Sequence, residues 1–184
     1  MDGINGITGF YSLAVIAPLY FSEADKILQE FELYIMLSLG IFLFFNARRK
    51  ARCFAGDVGS ICIAIIICFL LLQRIISTSN LGYIIFLLLY GLDTAITIIQ
   101  RLYLKENIFK AHRRHLFQLL SNEMKLPHLV VSMSFALIQL VINISFLQFS
   151  SSVFFISLII LGAAVYCIVK FFIHNKLKSF ISRI

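Results

Sequence analysis

Residues 129–149 read LVVSMSFALIQLVINISFLQF, a stretch without a single charged side chain. A helix needs about 20 mainly apolar residues to cross the hydrocarbon core of a bilayer, and this stretch is long enough. Backbone amides in lipid must be satisfied within the segment itself, so the stretch is predicted to be a transmembrane helix. A membrane protein is therefore the first expectation for the chain.

Composition extends this expectation to the whole chain. Of its 184 residues, 60% are hydrophobic and 14% are charged, whereas a soluble domain carries about 25% charged residues. The chain is predicted to be all-α: a polytopic integral membrane bundle of about six transmembrane helices in one membrane domain, 1–184. The six apolar runs are Ile7–Phe21, Phe31–Phe45, Ser60–Leu72, Leu81–Ile99, Leu129–Phe149 and Val153–Ile173. Pro18 is expected to break or kink the first helix.

The basic residues predict the orientation. With six spans, all sixteen Lys and Arg residues except Lys26 and Arg74 fall on one side of the membrane. The positive-inside rule places that side in the cytoplasm, with its loops at about 46–59 and 100–128 and with both termini. Because the cations lie between apolar segments, as in membrane-protein loops, the net charge of +7 does not indicate nucleic acid. The four cysteines show no paired spacing, so neither a disulfide nor a metal cage is predicted.

Two polar segments precede helices on the predicted cytoplasmic side. MDGING, residues 1–6, contains Asp2 and Asn5 among glycines, and AGDVGS, residues 55–60, contains Asp57 and Ser60. Glycines let the backbone approach a phosphate, and an aspartate there can ligate Mg²⁺. The alternative is structural: Asp, Asn and Ser are common helix caps, and Asp57 could neutralise the neighbouring cations.

A basic loop and an intramembrane acid complete the candidates. KENIFKAHRRHLFQLL, residues 105–120, contains His112, Arg113, Arg114 and His115; guanidinium groups suit a pyrophosphate. A basic helix meeting anionic lipid is the alternative for this loop, and a zinc site would lack ligands. Asp93 lies inside the fourth apolar run, where a carboxylate must face the bundle or a polar cavity. Either a functional role or a structural partner, such as a loop arginine, fits Asp93.

In this order, MDGING, AGDVGS and DTAITIIQRLYLKENIFKAHRRHLFQLL resemble the polyprenyl-phosphate N-acetylhexosamine-1-phosphate transferases. This membrane family includes the bacterial phospho-N-acetylmuramoyl-pentapeptide transferase and the UDP-GlcNAc:undecaprenyl-phosphate GlcNAc-1-phosphate transferases. The family's upstream Asn-rich stretch and paired aspartates are not in this sequence. The chain is therefore expected to be a carboxy-terminal portion of a longer transferase domain, inactive by itself if that pair is essential.

The resemblance implies roles for the residues that match its motifs. Asp57 and Asp2 would associate with Mg²⁺, the implied cofactor, and His115 with these two would form the catalytic set. The implied substrate-binding residues are Asn5, Gly56, Ser60, His112, Arg113 and Arg114. HRRHLFQ has fewer histidines than the peptidoglycan branch, which favours a simple UDP-N-acetylhexosamine donor over a pentapeptide substrate.

The implied reaction is transfer of N-acetylhexosamine-1-phosphate from a UDP-sugar to polyprenyl (undecaprenyl) phosphate, with release of UMP, in synthesis of cell-envelope polysaccharide. It would take place at the cytoplasmic face of the bacterial inner membrane, with membrane lipid as a further partner. The sequence leaves a homodimer open and does not identify the sugar. The alternative is a truncated, non-catalytic membrane protein that retains the fold and binds lipid or assists assembly.

Overall fold

The computed structural model describes residues 3–107, 114–149 and 152–181, and places each of the six apolar runs on a helix. No strand occurs in these three ranges. The α-helices are α1 (Ile7–Ser22), α2 (Lys26–Asn46), α3 (Gly56–Thr78), α4 (Leu88–Tyr103), α5 (Leu116–Gln118), α6 (His128–Gln148) and α7 (Ser152–Ile181). A 3₁₀ segment, Leu81–Leu87, leads directly into α4, and a π-helical turn, Leu119–Glu123, follows α5.

Four helical segments of the described chain are long and apolar enough to cross a membrane. The prediction of an all-helical, polytopic membrane protein is confirmed, with four segments of spanning length where six spans were expected. Two further apolar helices, Ile7–Ser22 and Ile156–Lys170, are shorter. The four are Lys26–Asn46, Gly56–Thr78, Leu81–Tyr103 and His128–Gln148.

Helix α1 is the central element and packs most extensively against α6 and then α2. Its Ile7, Val15, Ile16 and Leu19 are completely buried. At 16 residues it is about 24 Å long at 1.5 Å per residue, shorter than the hydrocarbon core. The helix continues past Pro18 to Ser22, so the chain does not break at the proline, and the alternative, a kink there, stays a prediction.

The bundle carries polar side chains inside and apolar side chains outside. Ser132, Gln139 and Asn143 of α6 are fully buried, while Leu137 and Val141 of the same helix are exposed. A soluble protein of this size would not expose apolar residues so extensively, whereas lipid accepts them and requires polar groups to bond internally. The distribution supports a multi-pass membrane protein.

Helix α2 begins earlier than the apolar run predicts. Asp25 caps it by accepting a hydrogen bond from the backbone N–H of Ile27 at 2.8 Å. Glu30 therefore lies in the helix although it precedes the apolar run, and Glu32 in the next turn is fully buried. At this end of the bundle Glu23 pairs with Arg74 at 3.2 Å, with both side chains largely buried.

Candidate functional site

The predicted polar segments meet at one end of the bundle, called here the basic end: residues 3–6, 46–59, 104–107 and 114–128. The ends of five helices meet there: the amino ends of α1, α3 and α6 and the carboxyl ends of α2 and α4. The alternation of helix direction predicted from the basic residues is thus present in the fold.

The turn before α1 is fixed by two other parts of the chain, the segment after α2 and the first turns of α6. The side-chain amide of Asn5 donates to the carbonyl oxygen of Arg48 at 2.8 Å, and the Asn5 carbonyl accepts from the Ser132 hydroxyl at 2.8 Å. The Asn5 backbone N–H donates to Nδ1 of His128 at 3.4 Å. Asn5, predicted to bind substrate, therefore has a structural role in holding the turn. Asp2 lies outside the described residues.

Asn46 joins the first and second polar segments. Its Oδ1 accepts from the backbone N–H of Gly6 at 2.6 Å, and its Nδ2 donates to the carbonyl of Cys53 at 2.7 Å. Asn46 is buried, so both bonds are shielded from water. Sequence reasoning missed Asn46 and His128, because a single Asn at a helix end and a His after a proline are common without any such role.

Gly3 brings the turn before α1 against the segment 114–128. A Cβ added there would lie 2.8 Å from atoms of Phe117 and of Gln118. This close approach favours glycine, and it places the turn at residues 3–6 beside the segment that begins at His115. The MDGING motif and the basic loop at 105–120, about 100 residues apart in sequence, are thereby neighbours at residues 3 and 117–118.

Asp57 lies in the first turn of α3 with its side chain exposed. Gly56 before it has φ +60°, a conformation that favours glycine. Ser60 is not the helix cap that the structural alternative predicted: it lies one turn inside α3, where its hydroxyl donates to the carbonyl of Asp57 at 3.1 Å. Carboxylates at a helix amino terminus are stabilised by the helix dipole.

The fit of Mg²⁺ can be tested on these groups. No three His, Cys, Asp or Glu side chains come together as a metal site within residues 3–107, 114–149 and 152–181. Mg²⁺ keeps several waters and is usually held by one or two carboxylates plus substrate phosphates. The exposed carboxylate of Asp57 therefore fits as one ligand, and a fuller protein set is not provided by the described residues.

The basic loop contacts Asp93, the buried acid of α4, through His115 and Leu116. Asp93 is fully buried; its Oδ2 lies 3.1 Å from Nδ1 of His115, and its Oδ1 accepts from the backbone N–H of Leu116 at 3.0 Å. The hydroxyl of Tyr166 on α7 also donates to Oδ1. Asp93 thus faces the bundle as predicted, and its structural partner is a histidine rather than the loop arginine considered from sequence.

A polar face of α4 continues from Asp93. Thr97 and Arg101 follow it at intervals of four residues, and all three are buried. Lys170 on α7 donates to the Thr97 hydroxyl at 2.8 Å. Tyr166 and Lys170 are four residues apart and share one face of α7. The four-residue spacing of Tyr166 and Lys170 is visible in the sequence and could have indicated a polar face of α7.

Two arginines of the basic end, Arg101 and Arg114, lie against Glu106. Arg114 pairs with Glu106 at 2.6 Å, and Nε of Arg101 lies 3.5 Å from the same carboxylate. Arg114, a predicted pyrophosphate ligand, is therefore paired with Glu106 here. His112 and Arg113 lie outside the described residues.

Two apolar cavities border the basic end. One, of about 400 Å³, lies between α2 and α3 and runs from Ala55 and Gly59 towards Phe31. The other, of about 450 Å³, lies between α6 and α7 and reaches Leu116 and Tyr166. Both have almost entirely apolar linings, as a site for a hydrocarbon chain would.

Comparison with known families gives a match over part of the chain. The model of glycosyl transferase family 4 matches residues 1–75, a range that contains α1, α2, the Asn5 turn and Asp57. Over the N-terminal part of the chain this match agrees with the resemblance carried by the motifs, and it supports a phospho-sugar transferase function in general. Neither the curated proteins nor the solved structures give a match.

Proposed function

We propose that the chain takes part in transfer of N-acetylhexosamine-1-phosphate from a UDP-sugar to a polyprenyl phosphate at the membrane surface. The observation that carries the proposal is the family match over residues 1–75, which includes the Asp57 segment. The meeting of the Asn5 turn with the His115 segment through Gly3 supports it, because a two-substrate reaction needs its polar groups at one place.

In the proposed reaction an oxygen of the lipid phosphate attacks the β-phosphorus of the sugar nucleotide. A phosphorus–oxygen bond forms there, the bond from the β-phosphorus to the oxygen bridging it to the α-phosphorus breaks, and UMP leaves with that oxygen. Phosphoryl transfer asks the protein mainly for positioning and charge stabilisation. The basic end would provide cations for the anionic groups, and the bilayer would deliver the acceptor.

Asp57 and His115 have separate proposed roles. Asp57 would hold Mg²⁺, which when bound neutralises phosphate charge. His115, a quarter exposed, would contact the sugar nucleotide from the opposite side of the N-terminal turn. The basic end would face the cytoplasm, following the distribution of Lys and Arg.

The acceptor's polyprenyl tail would lie in the cavity between α2 and α3. This cavity borders Ala55 and Gly59, which flank Asp57 in sequence, and it follows α2 from Phe42 to Phe31. At 1.5 Å per residue that length is about 16 Å, enough for several isoprene units. A tail lying there would place its phosphate near the turn that carries Asp57.

The test is UMP release from UDP-GlcNAc with undecaprenyl phosphate and Mg²⁺ in detergent, using the 184-residue chain and any in-frame extension encoded upstream of it. Asp57→Asn should lower turnover by at least about 100-fold, because an amide does not neutralise Mg²⁺. Asp25→Asn is the matched control, since Asp25 is also an exposed aspartate at the start of a helix but lies at the other end. An Asp57→Asn protein with normal turnover would remove Asp57 from the site, and no turnover with any UDP-N-acetylhexosamine would favour the non-catalytic alternative.

A further inference from the structure

The polar cluster inside the bundle suggests a function for Asp93. A carboxylate buried at membrane depth is costly, and its partners usually explain why it is retained. The partners of Asp93 come from two other parts of the chain: the segment at His115–Leu116, and α7 through Tyr166. One of these partners, His115, belongs to the motif assigned to the sugar nucleotide.

The geometry sets the tautomer of His115. Asp93 is a carboxylate with two acceptor oxygens, so the ring nitrogen beside it, Nδ1 at 3.1 Å, must carry the proton that is shared between them. In a neutral ring Nε2 is then the unprotonated nitrogen. The ring also stacks on Phe117 at a centroid distance of 5.5 Å and an interplanar angle of 8°, which fixes its plane.

We propose that Asp93 is a positioning residue: it orients His115 and holds it in the Nδ1–H form, so that Nε2 is directed to the sugar nucleotide. This inference rests on the proposed function for the identity of the ligand. The pairing of a carboxylate with the far nitrogen of a functional histidine is a general device for fixing tautomer and ring orientation.

The arrangement of donors makes a specific prediction for Asp93→Asn. Two donors, the Leu116 N–H and the Tyr166 hydroxyl, face Oδ1. An asparagine would place its carbonyl oxygen towards them and its NH₂ group towards His115. Nδ1 would then have to accept a hydrogen bond, and the proton would move to Nε2. The substitution therefore inverts the tautomer with almost no change in side-chain volume.

The experiment uses the full chain in lipid nanodiscs with ¹⁵N-labelled histidine. Its ring nitrogens are observed by NMR, and His115→Gln assigns the His115 signals among the four histidines. The wild type should show protonated Nδ1 and unprotonated Nε2, and Asp93→Asn should show the reverse. Tyr166→Phe is the matched control, because it removes one donor from Oδ1 but leaves the Asp93–His115 contact, so the tautomer should stay as in the wild type.

Binding of UDP-GlcNAc, measured by calorimetry on the same samples, completes the test. Asp93→Asn and His115→Gln should each weaken binding by about tenfold, and the double variant should be no weaker than His115→Gln alone, because both changes act through one group. An unchanged His115 tautomer in Asp93→Asn, or additive losses, would overturn the positioning role. Absence of UDP-GlcNAc binding by the wild type would instead count against the proposed function, while the tautomer result would still decide whether Asp93 sets His115.

Discussion

Gln139 on α6 donates its side-chain amide to the carbonyl oxygen of Ile85 at 2.9 Å, at the point where the 3₁₀ segment changes into α4. Its Oε1 accepts from the backbone N–H of Leu89 at 3.1 Å. A change of helix type leaves backbone groups without their regular partners, and lipid offers none. Gln139 therefore bonds to the backbone on both sides of the junction.

Gln139→Leu should therefore destabilise the bundle. The substitution leaves the Leu89 N–H in the interior without this acceptor, at a cost of about 1–3 kcal/mol, while the Ile85 carbonyl keeps its bond from the Leu88 N–H. Unfolding by sodium dodecyl sulfate in mixed micelles, followed by circular dichroism, measures the change. Gln148→Leu is the control because Gln148 is exposed near the end of the same helix; equal stability losses in the two variants would contradict the junction role.

Asn46→Ala should loosen the N-terminal turn. The substitution removes the acceptor for the Gly6 N–H and the donor to the Cys53 carbonyl at a buried position. We expect a loss of about 1–3 kcal/mol in unfolding free energy and faster amide exchange at Gly6, whose N–H loses its acceptor. Hydrogen–deuterium exchange with mass spectrometry reports the exchange, and Asn122→Ala, at an exposed position, is the control. Unchanged exchange in residues 3–6 would show that the turn is held by Asn5 alone.

Gly56→Ala tests the backbone conformation before Asp57. Neither Gly56 nor Gly40 has any atom within 4 Å of an added Cβ, but only Gly56 has a positive φ. Alanine at position 56 should therefore cost about 1–2 kcal/mol from conformation alone and should reduce UMP release. Gly40→Ala should leave both stability and release near normal. Similar behaviour of the two variants in thermal unfolding would mean that the left-handed conformation at position 56 is not required.

Arg74→Met should destabilise the fold and leave the reaction intact. Arg74 donates to the carbonyls of Leu19 and Ser22, which end α1, and it pairs with Glu23. Removing one partner of a buried ion pair typically costs 3–5 kcal/mol. Lys26→Met, an exposed cation at the same end, should change stability by less than about 0.5 kcal/mol. The measurements are unfolding free energy and KM for UDP-GlcNAc, and a changed KM in Arg74→Met would contradict a purely structural role.

The helices were predictable because an apolar run long enough to cross a bilayer has few alternative structures. The contacts between helices were less predictable. Asp93 was identified as facing the interior, but its partner His115 lies 22 residues further along the chain, and no periodicity in the sequence indicates that contact. Asn46 and Gln139 bond to backbone groups, and the identity of the residue contributing a backbone group carries almost no sequence signal.

The first residues of α2 and α3 also differed from the sequence prediction, because they depend on local backbone and capping contacts rather than on hydropathy. Helix α2 starts at Lys26 because Asp25 caps it, and α3 starts at Gly56 because the chain turns there with a positive φ. Hydropathy detects only the apolar middle of each helix, so the predicted runs began at Phe31 and Ser60, several residues after the helices start. Capping signals of the kind given by Asp25 would have corrected the first of these boundaries.

Cys62→Phe tests the proposed position of the polyprenyl tail. Cys62 lines the cavity between α2 and α3, whereas Cys68 is exposed on the same helix outside the lining. Phenylalanine at position 62 would occupy volume needed by the tail and should raise KM for undecaprenyl phosphate by about tenfold, equivalent to about 1.4 kcal/mol of binding, without changing KM for UDP-GlcNAc. Cys68→Phe, which adds the same ring on a lipid-facing surface, should change neither. If Cys62→Phe also leaves both constants unchanged, the tail does not lie between α2 and α3, and the cavity between α6 and α7 becomes the next position to block.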